Sequence, residues 1–143
     1  MKRRRWALCV LLALLLGFLP GREAASPAAN PVELPAESRF VALTFDDGPR
    51  RDTTARLLDG LRERGASATF FLVGQWVDTY PEEVRKLAEA GHEVMNHSDT
   101  HPYFTKCSTE SILKEIETCN DKIEALTGVR PTLIRCPYGD YDD

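Results

Sequence analysis

An alternation of short apolar runs with amphipathic stretches constrains the fold of this chain more than any other feature. The apolar runs have the length of buried strands and cover residues 40–45, 68–73, 92–96 and 132–134. Between them, apolar residues recur at three-four spacing, which predicts three amphipathic helices. Strand and helix in regular succession are typical of a parallel α/β sheet or barrel. Residues 39–143 are too few to close an ordinary eight-stranded barrel, which needs about 250 residues.

Capping residues mark where the three helices are expected to begin and end. The signals are a proline in a first turn, a serine N-cap and glycines at the stops. The start and stop residues are Asp52 and Gly65, Pro81 and Gly91, and Ser108 and Gly128.

The first 38 residues differ in character from the rest of the chain. Four residues, Lys2 to Arg5, are basic, and residues 6–19 are apolar except for Gly17. This run is shorter than the roughly 20 residues that a membrane-spanning helix needs. Residues 1–25 are therefore predicted to be a secretory signal peptide, or an N-terminal membrane anchor if they are not cleaved. Residues 26–38, rich in Ala and Pro, are expected to be a linker to a domain at 39–143 in an exported, secreted or cell-envelope protein.

The charge of the exported part argues against nucleic acid as a partner. The whole chain has a formal charge of −4. Removing residues 1–25 takes away five positive charges and one negative charge, which leaves −8. Phosphate backbones demand basic contacts. Contact with a membrane is expected only through the N-terminal segment, if it stays uncleaved.

The cysteines beyond the signal segment do not predict a disulfide framework. They are three in number, an odd count: Cys107, Cys119 and Cys136. The first two would lie about 18 Å apart along a continuous helix, too far to bridge. We expect them to act as small apolar residues.

Polar clusters follow three of the predicted strands directly. They occupy residues 44–49 (TFDDGP), 97–102 (HSDTHP) and 135–139 (RCPYG). In parallel α/β folds, functional sites assemble at the carboxyl ends of the strands, because the loops there converge on one face. We expect the three clusters to form one site.

Asp46 and Asp47 place two carboxylates side by side at a strand end. Adjacent carboxylates repel each other, so at least one usually needs a counter-charge. A metal ion on one and an arginine on the other would supply it. The alternative is a plain turn, since Asp-Gly-Pro is turn chemistry in any case.

His97 and His101 are the candidate nitrogen ligands of such a metal. Pro102 disfavours a helix here, but a looped pair can still converge on one ion. Zinc accepts histidine nitrogen and aspartate oxygen in sites that keep a position open for water, and other divalent metals also fit. The third histidine, His92, follows Gly91 at a helix end and is expected to be structural.

The cluster at residues 135–139 offers two further groups. Arg135 is either a surface charge or a partner that holds one of the Asp46/Asp47 carboxylates ionised and oriented. The tight loop around Tyr138 could aim a backbone N–H into the cleft.

These residues resemble the polysaccharide deacetylases, whose catalytic domain is called the NodB homology domain (carbohydrate esterase family 4). The first three motifs of that family correspond to residues 44–49, to His97-Ser98-x-x-His101 and to Arg135-x-Pro137-Tyr138. Residues 68–71, ahead of Gly74, and residues 91–93 are also similar to the family. The resemblance covers about residues 39–143, and three motifs in the right order are a specific signal.

The resemblance implies a distorted (β/α) barrel, incomplete in this chain, and a metal-dependent mechanism. Asp46 would be the general base, with Arg135 orienting it, and the Tyr138 N–H would bind the oxyanion. The implied metal ligands are Asp47, His97 and His101, with Zn²⁺ expected and Co²⁺, Ni²⁺ or Mn²⁺ as alternatives. The implied substrate is an acetylated polysaccharide, with N-acetylglucosamine polymers such as peptidoglycan or chitin-like chains expected, and the products are acetate and a free amine.

The sequence departs from the family at its end. The last two family motifs, an aspartate-containing segment and a Leu-x-His, have no counterpart here, which suggests a domain cut short at its C-terminus. No histidine remains to protonate the leaving amine. Two alternatives therefore stay open: an O-acetyl esterase on xylan-like glycans, and an inactive truncated glycan-binding fragment. Trp76 and Tyr103 are the candidates for stacking on sugars.

Overall fold

A computed structural model describes residues 39–142 of the chain. The predicted signal segment at 1–25 and the predicted linker at 26–38 lie outside the described residues. The regular elements are β1 Thr44–Gly48, α1 Arg51–Glu63, β2 Thr69–Leu72, α2 Gly74–Thr79, α3 Pro81–Glu89, β3 Glu93–Asn96 and α4 Thr109–Thr127. Two short 3₁₀ turns cover Phe104–Lys106 and Pro137–Gly139. Among these elements, no helix has the length and apolar character to cross a bilayer.

The three strands form one parallel sheet in the order β1-β2-β3. Phe70 in the middle strand pairs with Phe45 on one side and Val94 on the other. A parallel bridge between Asn96 and Ile134 extends the sheet beyond β3. The described part of the sheet is open, as in a partial barrel, so the predicted incomplete α/β barrel is confirmed.

The core lies where α3 and α4 pack on the sheet. The apolar stripes of the helices meet the inward side chains of β2 there. Fully burying one Leu or Val contributes about 1.5–3 kcal/mol, so this cluster dominates the stability of the sheet. Its buried members are Leu61, Ala68, Phe70, Leu72, Val77, Val84, Leu87, Cys119 and Ile123.

The predicted helix ends are confirmed in α3 and α4. Pro81 occupies the first turn of α3. The Ser108 hydroxyl accepts a hydrogen bond from the Ser111 N–H at 3.2 Å and so caps α4. Gly128 ends α4 with φ of 73°, a left-handed conformation that glycine adopts without a steric penalty.

The strand predicted at residues 40–45 is wrong in its position. β1 begins only at Thr44 and continues through both aspartates to Gly48, which pairs with Leu72. Phe40 is 60% exposed and Val41 84%. β1 is the edge of the described sheet and pairs with β2 alone, so residues 40–43 are not covered by a second neighbour.

Two other elements also differ from the prediction. The strand predicted at 132–134 is only the bridge at Ile134, held by Asn96 N–H to Leu133 O and Arg135 N–H to Asn96 O. The helix α2 was not predicted, because its six residues are too few to show a helical period.

Candidate active site

All six predicted site residues line one cavity of about 310 Å³. It opens at the carboxyl ends of the strands, where the three polar clusters were expected to meet. The lining residues are Asp46, Asp47, His97, His101, Arg135, Cys136, Tyr138 and Gly139. A larger cavity, of about 670 Å³, lies at the amino ends of the strands beside His92 and contains none of the six. Volume alone therefore does not mark the chemistry of this molecule.

Asp47, His97 and His101 bring three ligand atoms together. Asp47 Oδ1 lies 3.4 Å from His97 Nε2 and 3.1 Å from His101 Nε2. The two Nε2 atoms are 3.2 Å apart. Ligands about 2.0–2.2 Å from a tetrahedral zinc ion would be about 3.4 Å apart, so the three atoms fit three corners of such a site. The side chain of Asp47 is 70% exposed, which leaves the fourth direction open.

The His97 ring is oriented for ligation by a backbone carbonyl. Its Nδ1 lies 2.7 Å from Arg135 O. A carbonyl can only accept a hydrogen bond, so the proton must sit on Nδ1. The Nε2 lone pair then faces Asp47 and His101, as metal-binding histidines require.

Arg135 contacts the other carboxylate of the pair. Its Nη1 donates to Asp46 Oδ1 at 2.7 Å and to Thr44 Oγ1 at 3.0 Å. The guanidinium also lies 4.1 Å from the centre of the Phe71 ring, which limits its freedom. Neighbouring residues of a regular strand point to opposite faces. The left-handed φ of 65° at Asp47 breaks that rule and lets both aspartates line one cavity.

Left-handed backbone at non-glycine residues is concentrated in the site. Within residues 39–142, the four such residues are Asp47, Ser98, His101 and Tyr138. Each costs about 1–2 kcal/mol relative to the right-handed conformation. Surrounding contacts must hold these loops in place.

The loop that carries the two histidines is held by side chains of its own and of β3. The Ser98 hydroxyl accepts the His101 N–H at 3.0 Å. Asn96, which is buried, accepts the Ser98 N–H at 2.6 Å and donates to Ile116 O in α4 at 2.9 Å. These bonds offset the strain at Ser98 and His101.

α4 fastens the same loop with two charged residues that the sequence prediction missed. Glu115 Oε2 accepts the backbone N–H groups of Asp99 and Thr100 at 2.9 and 2.7 Å. Lys122 Nζ lies 2.6 Å from Asp99 Oδ1 and 2.7 Å from Asp78 Oδ2. Burial lowers the pKa of Lys122, but the bonds to Asp78 and Asp99 outweigh it, so its pKa is raised. The available signal was two charges seven residues apart on the helix face that also carries buried Cys119.

The aromatic residues proposed as sugar platforms have covered faces. The Arg50 guanidinium lies 3.5 Å from the centre of the Trp76 ring. The Tyr103 ring is stacked on Tyr138 at 4.1 Å, and Lys106 Nζ lies over Tyr103 at 4.2 Å. Two groups this close to one ring centre must occupy opposite faces. Both faces of the Tyr103 ring are thus occupied in the described conformation, although the residue is 42% exposed, and its stacking on a sugar stays a prediction.

The cysteines and His92 were not predicted to take part in the site, and among them Cys136 lines its cavity. The three cysteines of the described region are free, and Cys119 is buried in the core. Burial raises the pKa of the Cys119 thiol to about 12, so it stays neutral. His92 packs against Phe70, and its Nδ1 is buried without a partner among the described residues.

The sequence also matches a known family over most of its length. The family profile described as "Polysaccharide deacetylase" covers residues 33–143. This chain belongs to the polysaccharide deacetylase family. The resemblance predicted from the three motifs is confirmed.

Three curated relatives are bacterial deacetylases. The peptidoglycan-N-acetylmuramic acid deacetylase PdaC of Bacillus subtilis is 42% identical over 82% of this chain and 26% of the relative. A peptidoglycan-N-acetylglucosamine deacetylase of Bacillus cereus is 37% identical over 74% and 38%. A chitooligosaccharide deacetylase of Rhizobium leguminosarum bv. trifolii is 44% identical over 64% and 42%.

The solved structure of Bacillus subtilis PdaC is similar to the described fold. It has a TM-score of 0.73 and 44% identity, and the match covers 77% of this chain and 55% of that one. The polysaccharide deacetylase fold is thus shown, while the chain spans about half of that structure and less than half of the three curated relatives.

Proposed function

We propose that this chain takes part in the metal-dependent hydrolysis of acetamide groups on N-acetylglucosamine polymers, peptidoglycan or chitin-like, with release of acetate. One observation carries the proposal: two adjacent aspartates have separate partners around one cavity. Asp47 faces His97 and His101, while Asp46 is bound by Arg135. Asp47 is thus placed as a metal ligand would be, and Asp46 is placed as a general base would be. The names of the three relatives support the substrate class.

Asp47, His97 and His101 would hold a divalent cation, zinc first, with Co²⁺, Ni²⁺ or Mn²⁺ as alternatives. Such an ion supplies Lewis-acid polarisation of the acetyl carbonyl and a bound water of lowered pKa. The donor set of two imidazoles and one carboxylate suits this group of metals.

The chain's own residues would perform the remaining steps. Asp46 accepts a proton from the attacking water, and Arg135 keeps its carboxylate pointed at the cavity. The Tyr138 N–H donates to the oxygen that gains negative charge as the water adds. Asp46 and Tyr138 both line the cavity, as these roles require.

Protonation of the leaving amine is the step for which the described residues offer no imidazole. His97 and His101 face Asp47, and His92 lies at the amino ends of the strands. An alkoxide leaves from an ester with less help from an acid. An assay must therefore compare amide and ester substrates directly.

The decisive experiment measures acetate release by the 143-residue chain with and without zinc. We expect release from chitooligosaccharides and peptidoglycan, its loss on chelation, and its recovery on adding zinc. Asp46→Asn should retain zinc affinity but lose acetate release, whereas Asp47→Asn should lose both. Release from acetylated xylan alone would indicate the esterase alternative. Zinc binding with no acetate from any acetylated glycan would refute hydrolysis by this chain and favour the glycan-binding alternative.

We further propose that the chain works outside the cytoplasm, in the cell envelope or secreted. The basic start and apolar run of residues 1–25 support this, as does a wall-polymer substrate. A fusion of residues 1–38 to a phosphatase that is active only after export tests it. An inactive fusion that accumulates in the cytoplasm would contradict export.

A further inference from the structure

Two loops of the candidate site are joined by side-chain contacts that none of the predicted roles includes. One is the segment after His101, which contains Tyr103 and Thr105, and the other is the turn Pro137–Gly139 with Asp140 behind it. The rings of Tyr103 and Tyr138 are nearly parallel, with 9° between their planes and 4.1 Å between their centres. The Asp140 carboxylate accepts the Thr105 N–H at 2.9 Å and the Thr105 hydroxyl at 2.9–3.0 Å.

Apart from these contacts, the turn is anchored by the buried Pro137 side chain, whereas Tyr138 itself is 60% exposed. Tyr138 has φ of 59° and ψ of 6°, left-handed values that a residue with a Cβ resists. The turn's own hydrogen bonds are Gly139 N–H to Cys136 O at 3.1 Å and Asp140 N–H to Pro137 O at 2.9 Å. Within residues 39–142, the Tyr138 N–H donates to no other group, so it is free to donate into the cavity that Tyr138 lines.

The segment that carries Tyr103 and Thr105, on the other side of the contact, is held by burial and by hydrogen bonds. Phe104, between the two contact residues, is buried. The Tyr103 carbonyl accepts the Lys106 N–H at 3.1 Å, and the Phe104 carbonyl accepts the Cys107 N–H at 3.0 Å. The Lys106 ammonium covers the Tyr103 face that Tyr138 leaves free. The strained turn Pro137–Gly139 therefore packs against a segment that is itself held in place.

We propose that Tyr103, Thr105 and Asp140 form a clamp that fixes the direction of the Tyr138 N–H, and that they are positioning residues for oxyanion binding. The catalytic consequence rests on the proposed function, but the clamp itself does not. Because the centre of the Tyr138 ring also lies 4.5 Å from that of His101, the clamp fixes the position of the Tyr138 N–H relative to a proposed metal ligand. Preorganised donors stabilise a transition state only when their direction is fixed beforehand.

The first test measures the backbone of the turn by ¹⁵N relaxation and amide hydrogen exchange in the full chain. Tyr103→Ala and Asp140→Ala should lower the order parameters of the Tyr138 and Gly139 amides below about 0.6, a flexible value, and speed their exchange. Tyr103→Phe keeps the ring and should behave as the wild type. The exchange of the β2 amides reports whether each variant is folded. If Tyr103→Ala or Asp140→Ala does not fold, Thr105→Val is measured in its place. A Tyr138 amide as rigid in these variants as in the wild type would overturn the clamp.

The second test separates positioning from sugar binding in the active, zinc-loaded protein. Tyr103→Ala and Asp140→Ala should lower kcat about tenfold or more, since loss of a whole oxyanion donor costs about 100- to 1000-fold. KM and zinc affinity should stay within about twofold, and Tyr103→Phe should restore kcat. A rise in KM that grows with oligosaccharide length, at constant kcat, would overturn positioning in favour of a sugar platform. If the wild type releases no acetate, the relaxation data still show whether the clamp orders the turn. Failure of the proposed hydrolysis and failure of the clamp are therefore distinguishable.

Discussion

The two ends of the parallel sheet use left-handed backbone in opposite ways. At the amino ends of the strands, the tight turns carry glycine, with φ of 58° at Gly65 and 79° at Gly91. At the carboxyl ends Gly139 also has a positive φ of 63°, but the same region is occupied there by Asp47, Ser98 and Tyr138, whose side chains make it sterically costly. The amino end has the larger cavity, yet the carboxyl end has the converging ligands. Strain retained by residues with side chains therefore identifies the functional end better than cavity volume does.

The largest effect should be on zinc affinity, when an imidazole is removed at the carboxyl end but not when one is removed at the amino end. His101→Asn at the carboxyl end should weaken zinc binding by more than about 100-fold, because loss of a ligand exceeds the 10- to 100-fold typical of its supporting residues. His92→Asn removes an equivalent ring at the amino end and should leave zinc affinity unchanged. Titration of the metal-free protein with zinc in the presence of a competing chelator measures both. Equal losses in the two variants would break the contrast between the ends.

A smaller effect should follow from loosening the support of the histidine loop. Lys122→Met leaves the carboxylates of Asp78 and Asp99 without their cation and frees the loop, so zinc affinity should fall about tenfold. Arg130→Met is the matched control: Arg130 follows the C-terminus of α4 and forms ion pairs with residues of that helix. It removes ion pairs with Glu117, Asp121 and Glu124 that are largely exposed, and such pairs contribute little. A loss of zinc affinity in the control as large as that in Lys122→Met would show that α4 acts through its general stability.

The smallest effect concerns stability and has opposite signs at the two ends. Gly91→Ala meets no atom within 4 Å but must keep φ of 79°, so it should lower the free energy of unfolding by about 1 kcal/mol. Asp47→Gly relieves the same strain at the carboxyl end and should raise that free energy by about 1 kcal/mol in the metal-free protein, while abolishing zinc binding. Urea unfolding at pH 8 with chelator present measures both changes. A destabilised Asp47→Gly variant would mean that Asp47 is not strained.

The meeting of the three polar clusters was predictable because it depends mainly on strand order. Asp46, His97 and Arg135 lie far apart in sequence, but Asp46 lies within β1 near its carboxyl end, and the other two follow β3 and the bridge residue Ile134 at the same edge of the sheet. A parallel α/β arrangement brings such residues together whatever the details of packing. The same reasoning could not find Asn96, Glu115 or Lys122, since their roles depend on the rotation and depth at which α4 packs on β3.

The sequence by itself determined the alternation of helices and strands, the ends of α3 and α4, and which six residues share the cavity. The first two follow from local capping chemistry and from the period of apolar residues, which act over a few residues at a time. The six residues follow from motifs that resemble the family and from their places at the strand ends. Only the tertiary structure decided where β1 begins, that residue 134 forms a bridge in place of a strand, and that Tyr103 is covered on both faces. Each of these depends on which distant segment supplies a hydrogen-bond partner or a packing surface, and no local pattern contains that information.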